Sequence, residues 1–119
     1  MRNFKQLKIW QKGFEIAVKS IRLTGAFPKE EKYGLISQVS RASISIASNM
    51  AEGSSRSSEK DYKRFLEISL GSSFELETQL LIANAVNYGQ EELRSEILRD
   101  IDEEQKMLIS FMNKLNVKN

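Results

Sequence analysis

The chain contains no cysteine, no histidine and a single proline among its 119 residues. Without thiols there is no disulfide, no thiolate nucleophile and no sulfur-held zinc. Without imidazole the Ser-His-Asp arrangement and the usual neutral-pH general base drop out as well. One proline and 6 glycines leave few points at which a helix must break. Long apolar runs are missing too. No segment of about 18 apolar residues is available to cross a bilayer, and Met1 to Trp10 is charged and lacks the apolar centre of a secretory leader. The expectation is a cytoplasmic protein with no membrane partner, and the lack of cysteine agrees with a reducing compartment.

What is present is 40% hydrophobic and 29% charged residues, the balance of a folded globular chain. The length suits one domain over residues 1–119, because two cores of half that size would each be marginal. The formal charge of +2 conceals a polarity. Residues 1–64 hold 13 basic and 6 acidic side chains, whereas residues 65–119 hold 5 and 10.

Apolar periodicity predicts four helices. Leu7, Trp10, Phe14, Ala17 and Ile21 recur at spacings of 3 and 4, the seam of a first helix from about Phe4 to about Thr24. Gly25 and Phe27-Pro28 stop it. After Pro28 the acidic Glu30 and Glu31 favour a new helical start, and Leu35, Val39, Ala42, Ile46 and Met50 form its seam. From Tyr33 to Ala51 the only formal charge is Arg41, so this second helix is expected to be covered both by its own bundle and by another subunit. Ser58 with Asp61 three residues on opens a third helix reaching about Asn87, with Tyr62, Phe65, Ser69, Ser73, Leu76, Leu80 and Ala83 inward. Its Gly71-Ser72-Ser73 reads as the site of a close crossing. A fourth helix starts at Gln90-Glu91-Glu92 after Tyr88-Gly89, turns Leu93, Ile97, Ile101, Leu108, Phe111 and Leu115 inward, and has Lys114 and Lys118 near its negative end. Short connections make consecutive helices antiparallel neighbours, so the predicted fold is all-α, an up-down-up-down four-helix bundle.

Three constellations invite a function. Lys5, Lys8, Lys12, Lys19 and Arg22 share one stripe of the first helix, about 200° from the Leu7-Trp10-Phe14 seam at about 100° per residue. The stripe is either a solvated face or a track for nucleic-acid phosphates. Arg56, Lys60, Lys63 and Arg64, with Ser54 and Ser55, form a second basic patch at the start of the third helix, where an anion could sit or where the serines only cap helices. Arg41 falls near Gly71 and within a turn of Glu75 if the second and third helices pair about a turn near Arg56, which suggests an ion pair with Glu75, or else several copies of Arg41 facing a shared pore. Asn49 and Glu52 read as a structural polar network closing the second helix. No acid, base and nucleophile converge, the acidic run from Asp100 to Glu104 reads as a solvated face, and no metal or cofactor is expected.

Phe27-Pro28-Lys29-Glu30-Glu31-Lys32-Tyr33-Gly34-Leu35, then Gln38, Arg41-Ala42, Ser45-Ile46, Asn49-Met50-Ala51-Glu52-Gly53, Phe65-Leu66 and Gly71-Ser72-Ser73-x-Glu75-Leu76 closely resemble the bacterial 23S ribosomal RNA intervening-sequence proteins. The resemblance implies a four-helix bundle assembled as a homopentamer, with no catalytic activity and an obscure cellular role. It extends to the accessory variability determinant of diversity-generating retroelements, a basic pentameric bundle that binds nucleic acid and a reverse transcriptase. Two readings therefore stay open: a homo-oligomer that holds RNA or DNA through a basic face, with a reverse transcriptase as a partner by family analogy, or an assembly scaffold with no nucleic-acid role.

Overall fold

In a computed structural model, which describes residues 2–117, the chain forms four α-helices in order: α1 (Lys8–Thr24), α2 (Leu35–Ser54), α3 (Glu59–Ala85) and α4 (Glu91–Asn113). Single 3-10 turns, Phe4–Gln6 and Lys29–Glu31, precede α1 and α2. Lys118 lies outside the described residues. α1 packs on α2 and α4, and α3 packs on the same two helices, while the backbones of the diagonal pairs stay apart. This is the up-down-up-down bundle. No helix of the described residues is long and apolar enough to cross a membrane.

Local chemistry sets the ends. The Ser58 hydroxyl accepts the Asp61 N–H at 3.1 Å and caps α3. At 27 residues α3 is about 40 Å long and ends at Ala85, two residues short of the expected Asn87. α2 runs through Gly53 and Ser54 before the turn near Arg56. Beyond α3 the chain reverses through Asn87 and Gly89, both at positive φ, where an added Cβ on Gly89 would lie 2.7 Å from Leu23. The buried Arg94 guanidinium fastens this turn by donating to the Tyr88 and Gly89 carbonyls at 2.7 and 2.6 Å.

Most of the expected seams of α2, α3 and α4 are close to fully buried: Val39, Ala42, Ile46 and Met50, then Tyr62, Ser69, Ser73, Leu76, Leu80 and Ala83, then Ile97, Ile101 and Leu108, whereas Phe65 is half-buried and its neighbour Leu66 takes the inward place on α3. The first helix differs. Its buried stripe is Ile9, Gly13, Ile16, Ser20 and Leu23, while Phe14 is 52% and Ile21 47% exposed. The reason is steric. Gly13 and Ser20 do not register as apolar, yet they let α1 settle onto its neighbours, and an added Cβ at Gly13 would sit 3.0 Å from Met50 and 2.9 Å from Glu104. The close crossing expected at Gly71-Ser72-Ser73 runs through its serines: Ser72 meets Ser45 of α2 at 2.8 Å and Ser73 is fully buried, while a Cβ added at Gly71 would meet nothing within 4 Å. A Cβ on Gly53 would fall 2.6 Å from the Phe65 Cβ, a second close approach of α2 and α3.

Candidate nucleic-acid interface and assembly surfaces

Rotating α1 by about a quarter turn relative to the expected seam changes what its lysines do. Lys12 and Lys19 follow directly on the buried side of the helix and point at α4. Lys12 Nζ lies 2.7 Å from Glu103 and 3.6 Å from Asp100, and Lys19 Nζ lies 2.7 Å from Asp100 and 2.9 Å from Glu96. The hydrogen bond that Lys12 donates to Glu103 holds its ammonium above the ordinary lysine pKa, and those that Lys19 donates to Asp100 and then Glu96 do the same for Lys19. The five-residue stripe is therefore not one solvated track. Its two central lysines are partly buried and tie α1 to α4, and Lys5, Lys8 and Arg22 remain exposed.

Lys5 and Lys8 join another group. Antiparallel packing gathers the start of α1, the end of α2, the start of α3 and the end of α4 at one end of the bundle. Residues 2–8, 52–64 and 110–117 supply that end, with eight basic side chains against three carboxylates. The segments at the far end, residues 20–38 and 84–96, hold four basic and five acidic side chains. At the basic end Arg2 donates to the Arg56 carbonyl at 2.8 Å and lies over the Tyr62 ring, and Arg56 lies over Phe65 while pairing with Glu52 at 3.3 Å. Lys60 and Arg64 are exposed, Lys63 is half-buried, and among the described residues none of the three has an ion-pair partner. The Ser54 and Ser55 hydroxyls donate to the Ala51 and Glu52 carbonyls at 2.6 and 2.7 Å, so they finish α2. An open depression of about 580 Å³ lies between Arg2, Arg56 and these serines.

The expected polar network separates into parts. Asn49 donates to the Ser45 carbonyl and hydroxyl at 2.9 and 2.8 Å, and Ser45 meets Ser72 of α3 at 2.8 Å. Glu52 turns to Arg56 instead. Arg41 and Glu75 are both exposed, and no ion pair joins them among the described residues. Their levels agree with the expected pairing, but both side chains reach water, which removes the need for it.

Glu104 corrects the reading of the acidic run as a solvated face. It is 0% exposed, both carboxyl oxygens lack a hydrogen-bond partner among the described residues, and burial pushes its pKa up to about 8 against the lowering effect of Lys12. The other overlooked feature is apolar. Phe4, Trp10, Phe14 and Ile21 face Ile44 and Ala47 of α2 across a groove of about 380 Å³. Ring centroids 5.2 Å apart for Phe4 and Trp10, and 5.3 Å for Trp10 and Phe14, make one wall an aromatic row.

The family model for the 23S rRNA-intervening sequence protein matches residues 5–110. A solved structure of a Bacteroides thetaiotaomicron protein of unknown function, from the S23 ribosomal protein family, is 28% identical. It covers 89% of this chain and 99% of its own, with a TM-score of 0.81. No curated protein matches.

Proposed function

The chain belongs to the 23S rRNA-intervening sequence protein family, and we propose that it acts without catalysis, as a self-associating cytoplasmic bundle that holds RNA or DNA by its basic end. One observation carries the nucleic-acid reading: eight cations against three carboxylates converge at one end, while the far end is balanced. Phosphates are the matching partner, because Lys and Arg side chains without rigid hydrogen-bond partners read charge and not base edges. Lys5, Lys8, Lys60, Lys63 and Arg64 make the contacts, and Arg56 is shared with Glu52. Lys12, Lys19 and Arg22 lie off this surface. Self-association multiplies a weak basic patch into a strong one, five copies being the count that the family resemblance implies. A reverse transcriptase is the protein partner that the same analogy adds.

The test is fluorescence anisotropy with structured RNA, duplex DNA and single-stranded DNA at low and near-physiological salt. Binding should weaken linearly in log salt, with a slope of roughly −0.9 per neutralised phosphate on duplex DNA. The combined variant Lys5→Glu, Lys8→Glu, Lys60→Glu, Arg64→Glu should bind at least tenfold more weakly with an unchanged circular dichroism spectrum. Absence of binding at low salt, or equal affinity in the variant, would overturn the reading. The scaffold alternative has its own support in the uncovered apolar groove between α1 and α2. It would then stand alone.

A further inference from the structure

We propose that a depression at the end of the bundle opposite the basic one binds a protonated primary amine carried on a short apolar stem. This site goes beyond the nucleic-acid reading and does not depend on it. Its volume is about 340 Å³, within the range of small-ligand sites, and it lies between the start of α2 and the end of α3. Glu31, Gly34, Leu35 and Gln38 supply one side. They belong to the stretch that carries the family resemblance, and the basic end uses none of them. Gln79, Ile82, Val86 and Tyr88 supply the other side.

Gln79 is the residue that points to a ligand. It is 6% exposed, the one buried side chain of the lining, and among the described residues its amide oxygen Oε1 has no hydrogen-bond partner. A buried polar atom without a partner is rare in a folded protein, because it has lost water and found no replacement. Gln79 forms the floor of the depression, where a donor arriving from outside supplies the missing bond. The second acceptor is Glu31, and the backbone holds it in place. Its Oε1 accepts the Leu35 N–H at 3.2 Å, and Gly34 makes room for it, since an added Cβ there would lie 2.8 Å from that oxygen. Oε2 receives the Tyr88 hydroxyl at 3.4 Å, a long contact that leaves it free to accept a better donor. Tyr88 is itself fixed, with its ring centroid 5.6 Å from that of Phe27 and its carbonyl accepting from Arg94 at 2.7 Å.

The charges select a cation. Among the described residues Glu31 is the one charged side chain of the lining. The negative pole of α3, which ends at Ala85, lies beside Ile82 and Val86, while the positive pole of α2 is already met by Glu31 Oε1. Flanking charges are mixed: Lys29, Glu30 and Lys32 in the preceding turn, and Arg41 and Glu75 about one turn further along α2 and α3. All five are exposed and none lines the depression, so water and salt screen them. Arg94 spends its guanidinium on Asn84 and on the Tyr88 and Gly89 carbonyls. An anion would meet the Glu31 carboxylate, and a wholly apolar ligand would leave the Gln79 oxygen without a partner. An ammonium group brings three N–H donors for both acceptors, and its stem lies on Ile82 and Val86, each about half exposed.

The experiment titrates pentylamine, and separately its neutral counterpart pentanol, into the full chain while heteronuclear NMR follows the side-chain amide signals of Gln38 and Gln79. Pentylamine should shift these signals with a roughly millimolar dissociation constant, in keeping with its small size. Pentanol should bind at least fivefold more weakly. Gln79→Leu keeps the bulk and removes the amide: it should weaken pentylamine at least fivefold and leave the thermal midpoint equal or higher, whereas a glutamine kept for structure alone would lower the midpoint and spare the amine. Glu31→Gln retains an acceptor for the Leu35 N–H and loses the charge, and should weaken pentylamine to a similar degree with unchanged circular dichroism. If Gln79→Leu fails to fold, Glu31→Gln and the pentanol comparison still decide. Nα-acetyl-lysine methylamide separates two sources of the same chemistry: binding as tight as pentylamine assigns the site to a lysine side chain of another polypeptide, and its exclusion assigns the site to a free amine. Unmoved Gln79 signals, pentanol binding as tightly as pentylamine, or unchanged affinity in the variants overturns the proposal.

Discussion

The seam between α2 and α3 and the seam between α1 and α4 join neighbouring helices of the same bundle by opposite means. Between α2 and α3 the contact is small and neutral. Gly53 lets Phe65 in, Ser69 donates to the Ile46 carbonyl at 2.8 Å, and Ser45 and Ser72 share a hydrogen bond at 2.8 Å. Between α1 and α4 it is ionic: Lys12 and Lys19 against Glu96, Asp100 and Glu103, with the unpartnered Glu104 carboxyl directly beneath. Neutral close packing is set by shape and hardly responds to solution conditions, whereas the ionic seam is open to pH and salt. One side of this bundle is fixed and the other adjustable.

The largest way to break the comparison is through Glu104. Its carboxyl has a pKa of about 8 when folded and an ordinary 4.5 when unfolded. Ile46 and Met50 bring no charge to the spot from α2, and Lys12 of α1 is the cation that acts on it. Between these values the folded protein holds a proton that unfolding releases, so stability is full at acid pH and falls as pH rises toward 8. At about 1.4 kcal/mol per unit the loss is at most about 5 kcal/mol. Glu104→Gln keeps the shape and cannot ionise, so its stability should be nearly level over the same range. Urea unfolding at pH 5, 7 and 9 decides, and a wild type that gains stability from pH 5 to 9 would refute the assignment.

Next comes the fixed seam. Gly53→Val places branched carbons where even a Cβ would lie 2.6 Å from Phe65 and 3.1 Å from Tyr62, and neither neighbour atom is a flexible tip. α2 and α3 must move apart, at a cost of about 3 kcal/mol. That loss should be the same at pH 5 and pH 9 and at low and high salt. A strong dependence on either would mean the two seams are not separate. Thermal unfolding of the variant under the four conditions measures it.

How much of this was legible in the sequence depends on what the seams are made of. On α2, α3 and α4 the large apolar residues of the buried stripe recur often enough for spacing to find most of it, although on α3 it picks Phe65 where Leu66 is buried. On α1 the buried row alternates Ile9, Ile16 and Leu23 with Gly13 and Ser20, so the richer Trp10-Phe14-Ile21 row took its place in the sequence reading. The misassigned face then carried the lysines with it. The pairing of Lys12 and Lys19, seven residues apart, with acids at 96, 100 and 103 could have been found once α1 is set beside α4 as the topology requires. Glu104 stands at seam spacing between Ile101 and Leu108, a signal overridden by its charge and its acidic neighbours. The basic end could not be read along the chain, because it is assembled from three separate segments.

The smallest effect sharpens the contrast most cleanly. Lys19→Met removes contacts of 2.7 Å to Asp100 and 2.9 Å to Glu96, but the lysine side chain is 26% exposed, so water screens part of their value. The stabilisation lost should be about 0.5–1 kcal/mol at low ionic strength. In about 1 M salt, where the Debye length falls to about 3 Å, the difference from wild type should shrink toward zero. The Lys19 pKa is raised in the fold, so its contribution is complete below 10.5 and fades only as pH climbs through the folded value. Ser69→Ala on the neutral seam is the control: a loss of about 1 kcal/mol that salt leaves unchanged. Denaturation of both variants at two salt concentrations separates the seams, since only a charge-held contact can be screened away while its geometry stays intact.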